Sequence, residues 1–225
     1  MAFSSSPKDL AVPRFRLPLV IGVFAACWVA QPAMAHPHVQ VQTETRMVFD
    51  AQGQTVAVEQ IWTFDEMYSS FAIQGLDTNR DGTYSREELA ELTKINIENL
   101  GEQKYFTVLR HERRFVSFGA VRDAWSEVRG GKLTLHFTVP VATPFRPGGK
   151  PLVVEVYDPE YFVAFEPADG EPMRLVDAPQ GCKLDYTPPR SAGAAANLSE
   201  SFFQSLNASA NFGQQFAGRY TVNCP

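Results

Sequence analysis

Val39-Gln-Val-Gln-Thr-Glu-Thr-Arg-Met-Val-Phe-Asp50 alternates along its length: Val39, Val41, Thr43 and Thr45 fall on one side, Gln40, Gln42, Glu44 and Arg46 on the other. A period of two marks a strand with one buried and one wet face. Asp50-Ala-Gln-Gly53 reads as a turn, and Thr55 to Phe64 returns as the hairpin partner. This hairpin makes the domain β-based from its start.

Outward from the hairpin the period changes. Asp65 is placed to cap a helix from Glu66 to about Gln74. Ser85-x-x-Glu88 is a capping box, followed by Leu89, Leu92 and Ile95 at helical spacing to about Leu100. Between the two helices runs Asp77-Thr-Asn-Arg-Asp-Gly-Thr-Tyr-Ser-Arg-Glu-Glu88. Its positions one, three, five, six, nine and twelve are Asp77, Asn79, Asp81, Gly82, Ser85 and Glu88, the pattern of an EF-hand calcium loop. A hard cation needs about 6–8 oxygens on a curled backbone. Asp77, Asn79 and Asp81 supply side-chain oxygens, Thr83 a carbonyl, Ser85 a hydroxyl and Glu88 two oxygens, while Gly82 permits the turn. A helix–loop–helix over residues 65–100 is expected.

Beyond it strands resume: Tyr105–Arg110, Arg114–Arg122, Trp125–Val128, Leu133–Val139 and Leu152–Tyr157, with Gly130-Gly131 a hairpin turn. Phe162–Phe165 and Cys182–Tyr186 read as two more. Pro188 to Ala196 is a linker, Leu198 to about Phe216 a helical segment, and Tyr220–Cys224 a short edge strand. The expected fold is α+β: a mainly antiparallel, sandwich-like β core with one inserted helix–loop–helix and a C-terminal helical segment.

The first 35 residues read as a signal peptide. Lys8, Arg14 and Arg16 precede an apolar stretch from Leu17 to Ala30, and Ala33-Met-Ala35 is a small-x-small cleavage site. The apolar stretch is shorter than the about 20 residues a membrane span needs. Phe24 stands where a lipidation signal on Cys27 calls for an aliphatic residue, so soluble export to the periplasm is the reading adopted. Cleavage after Ala35 leaves residues 36–225 as a single domain, with no transmembrane segment expected in it. The charge shifts from −5 for the whole chain to −7 for this domain, which argues against nucleic acid and anionic membranes as partners. Cys182 and Cys224 are then the only cysteines in an oxidising compartment, and a disulfide between them is expected.

His36-Pro-His38 would open the processed chain. A terminal amine beside an imidazole chelates copper, nickel or zinc. Pro37 has no amide N–H, so a square-planar site through backbone nitrogens cannot form across it. A more distant ligand is needed, and His136, on the polar face of Leu133–Val139 with Thr134 and Thr138, is the candidate. His111 lies among Arg110, Arg113 and Arg114, surroundings that oppose a cation. No phosphate loop or nucleophile elbow is present, and the chain is not read as an enzyme.

Several segments together resemble one family: His36-Pro-His-Val39, Trp62-Thr-Phe-Asp-Glu66, Gln74-Gly-Leu-Asp-Thr-Asn-Arg-Asp-Gly82, Val156-Tyr-Asp-Pro159, Tyr161-Phe-Val163, Gly181-Cys182, Ala210-Asn-Phe-Gly213 and Cys224-Pro225. They look like the bacterial periplasmic proteins of domain-of-unknown-function family 1007, described as a periplasmic component of an uncharacterised ABC-type transport system. The resemblance implies an association with metal transport, as the periplasmic partner of a Zev-type zinc uptake permease resembling nickel/cobalt permeases. The chain lacks the two α/β lobes usual in a solute-binding protein. The expectation is a periplasmic metal-handling protein that assists zinc, or alternatively nickel or cobalt, transport through an inner-membrane permease. His36, His38 and His136 would be the transition-metal ligands, and Ca2+ would occupy the loop at 77–88. In the second reading calcium itself is the functional ligand; in a third, weaker one, the terminal His serves a copper enzyme.

Overall fold

The computed structural model of the protein describes residues 37–189 and 211–225. The expected signal peptide, His36, most of the linker and residues 198–210 of the expected C-terminal helical segment lie outside them.

The expected hairpin forms β1 (Val39–Phe49) and β2 (Thr55–Phe64), paired antiparallel with Thr43 opposite Trp62 and Thr45 opposite Gln60. Two helices follow, α1 (Glu66–Ala72) and α2 (Arg86–Glu102). Then come β3 (Thr107–His111), β4 (Arg114–Phe115), β5 (Arg122–Arg129), β6 (Lys132–Phe145) and β7 (Leu152–Val156). Last are β8 (Val163–Pro167), β9 (Met173–Val176), β10 (Lys183–Thr187) and β11 (Arg219–Asn223). One sheet has the order β5-β6-β2-β1-β8, with β9 also on β1; the other has the order β10-β11-β7-β3-β4.

One face of the first sheet carries the whole core. Its positions in β1 are buried at every second residue from Val39 to Phe49, as the alternation requires. At one end, Val41, Trp62, Phe64, Leu135 and Phe137 pack beneath Leu89 of α2, with Tyr84 and Leu92 against them. At the other end, Met47, Phe49 and Val58 meet Leu109, Leu152, Val154 and Val222 of the second sheet. Helices and second sheet thus lie side by side on one β surface. Each large side chain so buried contributes roughly 1.5–3 kcal/mol. Gln60, itself 1% exposed, joins the two sheets: its amide donates to the Thr107 hydroxyl (3.0 Å), and its carbonyl accepts from Thr45 Oγ1 (2.9 Å) and Trp62 Nε1 (3.3 Å). A buried amide bonded at both its oxygen and its nitrogen in this way specifies register as well as stability.

The sheets are mainly antiparallel, as expected, and β8 and β9 add two parallel pairings to β1, Val39 opposite Val163 and Thr45 opposite Met173. Three other expectations are corrected. The stretch Arg114–Arg122 is not one strand: β4 stops at Phe115, Phe118 makes a single bridge to Val141, and β5 belongs to the other sheet. The last strand is interior, with β10 on one side and β7 on the other. Tyr220 and Val222 face the core there, and a two-residue apolar alternation cannot distinguish an edge from a centre. Strand β3 begins later than its apolar run because Lys104, Tyr105 and Phe106 adopt left-handed backbone angles (φ 51°, 57° and 46°). Of the expected C-terminal helix, the described part is a 3-10 turn at Phe212–Phe216. Gly213 is required in it, since a Cβ there would strike the Asp158 carbonyl.

Candidate functional site

Cap residues set both helices that flank the 77–88 loop. Asp65 accepts from the Tyr68 amide to start α1, and Ser85 with Glu88 completes a reciprocal capping box at the start of α2. The loop between them is exposed and curls through positive φ at Arg80 and Gly82. Its oxygens accept from the loop's own donors. Asp77 takes the amides of Asp81 (3.1 Å) and Gly82 (3.0 Å), and Asn79 Oδ1 takes the Asp81 amide (2.9 Å). Asp81 accepts from the Thr83 amide (2.8 Å) and hydroxyl (2.7 Å) and from Asn79 Nδ2 (2.9 Å).

Glu88 bridges both ends of the loop. Its Oε1 accepts from the amide and hydroxyl of Thr78 (both 2.8 Å), and its Oε2 from the amide and hydroxyl of Ser85 (both 3.0 Å). These bonds, the Ser85 amide first, pull its carboxyl down to about 2, and the Thr83 and Asn79 bonds lower that of Asp81. Both groups therefore stay ionised well into acid. The structure brings Asp77, Asn79, Asp81 and Glu88 together on one loop. Their oxygens accept from the loop's own amides, hydroxyls and the Asn79 side chain, and among the described residues no three His, Cys, Asp or Glu side chains form a closed cage.

The histidines do not converge. His136 lies opposite Ile61, and Ile61 opposite Glu44, six residues along β1 from His38. At a strand rise of about 3.3 Å and a spacing of about 4.8 Å, His38 and His136 are on the order of 20 Å apart. His38 rests on the Phe162 ring, with centroids 4.6 Å apart. His111 is on the second sheet, its Nε2 2.9 Å from the Pro147 carbonyl.

His136 has its own partners instead. Its ring lies parallel to Trp125, and its Nε2 is 3.0 Å from Glu127 Oε1. The Arg86 guanidinium is 3.8 Å from the same indole. Two groups this close to one ring cannot share a face, so Trp125 is held between Arg86 and His136. Burial lowers the His136 pKa, and Glu127 opposes that shift. The sequence marks none of these pairings, because Arg86, Trp125 and His136 come from three separate elements.

The Tyr157–Phe162 segment is a turn built on a buried carboxylate. Asp158 accepts from the amides of Glu160 (2.9 Å), Phe162 (2.9 Å) and Val163 (3.0 Å), which aims the chain into β8. Glu155, missed in the sequence because it falls within an apolar strand, is also buried. It holds Arg110 (2.7 Å) and Arg219 (2.9 Å), and accepts from Gln214 Nε2 (3.2 Å). Cys182 and Cys224 are disulfide-bonded, closing the last segments onto the second sheet. Among the described residues no helix is long and apolar enough to cross a membrane.

Comparison with known sequences agrees with the motifs. Over 209 residues the chain is 23% identical to an uncharacterized protein of Haemophilus influenzae, an alignment that spans 92% of this chain and 97% of that one. The sequence profile of DUF1007, a protein family of unknown function, matches residues 21–224. With that match over almost its whole length, the chain belongs to the DUF1007 family.

Proposed function

We propose that the protein is an exported metal-handling protein whose helix–loop–helix binds one calcium ion. The observation that carries this reading is the gathering of Asp77, Asn79, Asp81 and Glu88 oxygens on a twelve-residue loop between two capped helices. Oxygen-only donors in this spacing suit Ca2+ and offer little to softer metals. Calcium would replace the loop amides as partner of these oxygens and brace α1 and α2 against the first sheet. A lone hand of this kind suits a structural brace better than a sensor, which transmits opening through a paired hand. Calorimetric titration with calcium tests this: one ion should bind, and Glu88→Gln should weaken binding at least tenfold. Equal affinity in the variant would overturn it.

The wider role, zinc or nickel/cobalt delivery to an inner-membrane permease from the periplasm, rests on the family resemblance and the His36-Pro-His38 start. A single ligand set of His36, His38 and His136 is dropped, since His136 is remote and already paired. Capture at the N-terminus would use the amine, His36 and His38, with the remaining ligands from the receiving protein. Zinc and nickel titration of correctly cleaved protein against His36→Ala/His38→Ala checks it; unchanged affinity would exclude that end as the site.

A further inference from the structure

At the tip of the second sheet the chain turns from β3 to β4 through two residues, Glu112 and Arg113, both with positive φ (50° and 67°). Tight hairpins favour this backbone, though Gly and Asn adopt it more readily. The turn presents Arg113, Arg114 and Phe115 to solvent, and Phe115 is 75% exposed on an edge strand. Lys150, from the distant β6–β7 connection, comes to the same place because His111 pairs with Leu152. Arg110, Glu112, Arg113 and Lys150 line one concavity of about 640 Å³.

The charges there do not cancel. Arg110 is neutralised by Glu155, but no carboxylate among the described residues pairs with Arg113, Arg114 or Lys150. Glu112 is the one acidic neighbour in the turn, so the tip carries net positive charge on a chain of net charge −5. Met67 and Phe71 of α1 are as exposed as Phe115, but they precede the acidic 77–88 loop instead of a cationic cluster.

We propose that this hairpin tip docks on the surface of an anionic phospholipid bilayer. Arg113, Arg114 and Lys150 would meet lipid phosphates, and Phe115 would enter the headgroup region. Charge complementarity favours this occupant, because an exposed aromatic beside unpaired cations is the combination that holds a protein at an anionic interface. The overall acidity repels the rest of the surface and so orients the molecule with its tip down. Net charge alone argues against membrane contact; the local cluster reverses that argument.

The test is co-sedimentation of the cleaved chain with vesicles of phosphatidylglycerol and phosphatidylcholine, and with phosphatidylcholine alone. Binding is expected on the anionic vesicles only, and it should fall in high salt. Each cation at such a surface is worth about fivefold in partitioning. Arg113→Asn/Arg114→Gln should therefore lose about 25-fold, Lys150→Gln about fivefold, and Glu112→Asn should bind more tightly. Asn tolerates the positive φ at 112 and 113, and Lys150 lies outside the turn, so the set does not depend on one variant folding. Equal binding to both vesicle types, or unchanged binding in these variants, would overturn the proposal. So would failure to bind anionic vesicles, and hairpin-dependent capture of poly-glutamate in that case would point to an acidic protein partner instead.

Discussion

The imidazole of His136 lies parallel to the indole of Trp125, with centroids 3.7 Å apart and planes 3° from alignment. The first ring belongs to β6 and the second to its neighbour β5, at directly opposed positions. Arg86, one residue after Ser85, occupies the other face of the indole. The stack thus ties the start of α2, and with it the end of the 77–88 loop, to the edge of the first sheet. Two consequences concern this stack.

Loss of the imidazole should be felt in a pH-dependent way. Burial lowers the His136 pKa below its ordinary 6.5, so the folded state prefers the neutral ring. That preference adds stability above pH 6.5 and withdraws it as pH falls through the lowered value. His136→Ala should cost about 1 kcal/mol at pH 8, the worth of a stacked pair, and less at pH 5. Urea unfolding at the two pH values measures it; an equal cost at both would refute the assignment.

Calcium should be visible in the emission of Trp125. Ordering the loop fixes Ser85 and Glu88, hence Arg86, hence the polarity around the indole. Trp62 is 1% exposed and gives a constant background. Glu88→Gln should weaken calcium binding at least tenfold and shift the emission change to correspondingly higher calcium. Arg86→Ala should keep binding and lose most of the change, which separates coupling from affinity.

Acid should leave Glu88 and Asp81 ionised long after ordinary carboxylates protonate. The Glu88 pKa falls from 4.5 to about 2, so its bonds to Thr78 and Ser85 are at full strength above pH 4.5 and are lost as pH drops toward 2. Calcium affinity at pH 5 should therefore stay within about threefold of that at pH 7, a difference of under 1 kcal/mol. Calorimetry at both pH values checks this.

Glu155 should be the costliest surface-distant charge to remove. Its side chain is 2% exposed and serves Arg110 and Arg219 together. Glu155→Gln leaves two guanidinium groups without their counter-ion, at a cost of about 3 kcal/mol, the low end for a broken buried pair because both arginines keep some solvent. Denaturant unfolding measures the loss. A change under ~1 kcal/mol would show that water replaces the carboxylate.

The local devices were legible in the sequence because their partners are near in the chain. The β1–β2 hairpin, the caps at Asp65 and Ser85, the Gly130-Gly131 turn and the order of donors from Asp77 to Glu88 all follow from dihedral preference and short-range hydrogen bonding. The disulfide was also legible, through the small number of cysteines. Where a strand pairs was not. The parallel docking of β8 and β9 on β1 and the interior place of β11 depend on contacts between segments far apart, which a strand's own alternation does not encode.

The same division runs through the candidate sites. Sequence alone set the order of oxygen-bearing side chains from Asp77 to Glu88, since they lie within twelve residues between two capped helices. Tertiary structure decided the histidines: it put His136 about 20 Å from His38 by strand geometry and gave it to Trp125 and Glu127. It also decided the cations, bringing Lys150 beside Arg110 and Arg113 through the pairing of β3 with β7. The physical reason is range. Backbone preference and capping act over a few residues, while packing and charge act between whichever surfaces the sheets bring together.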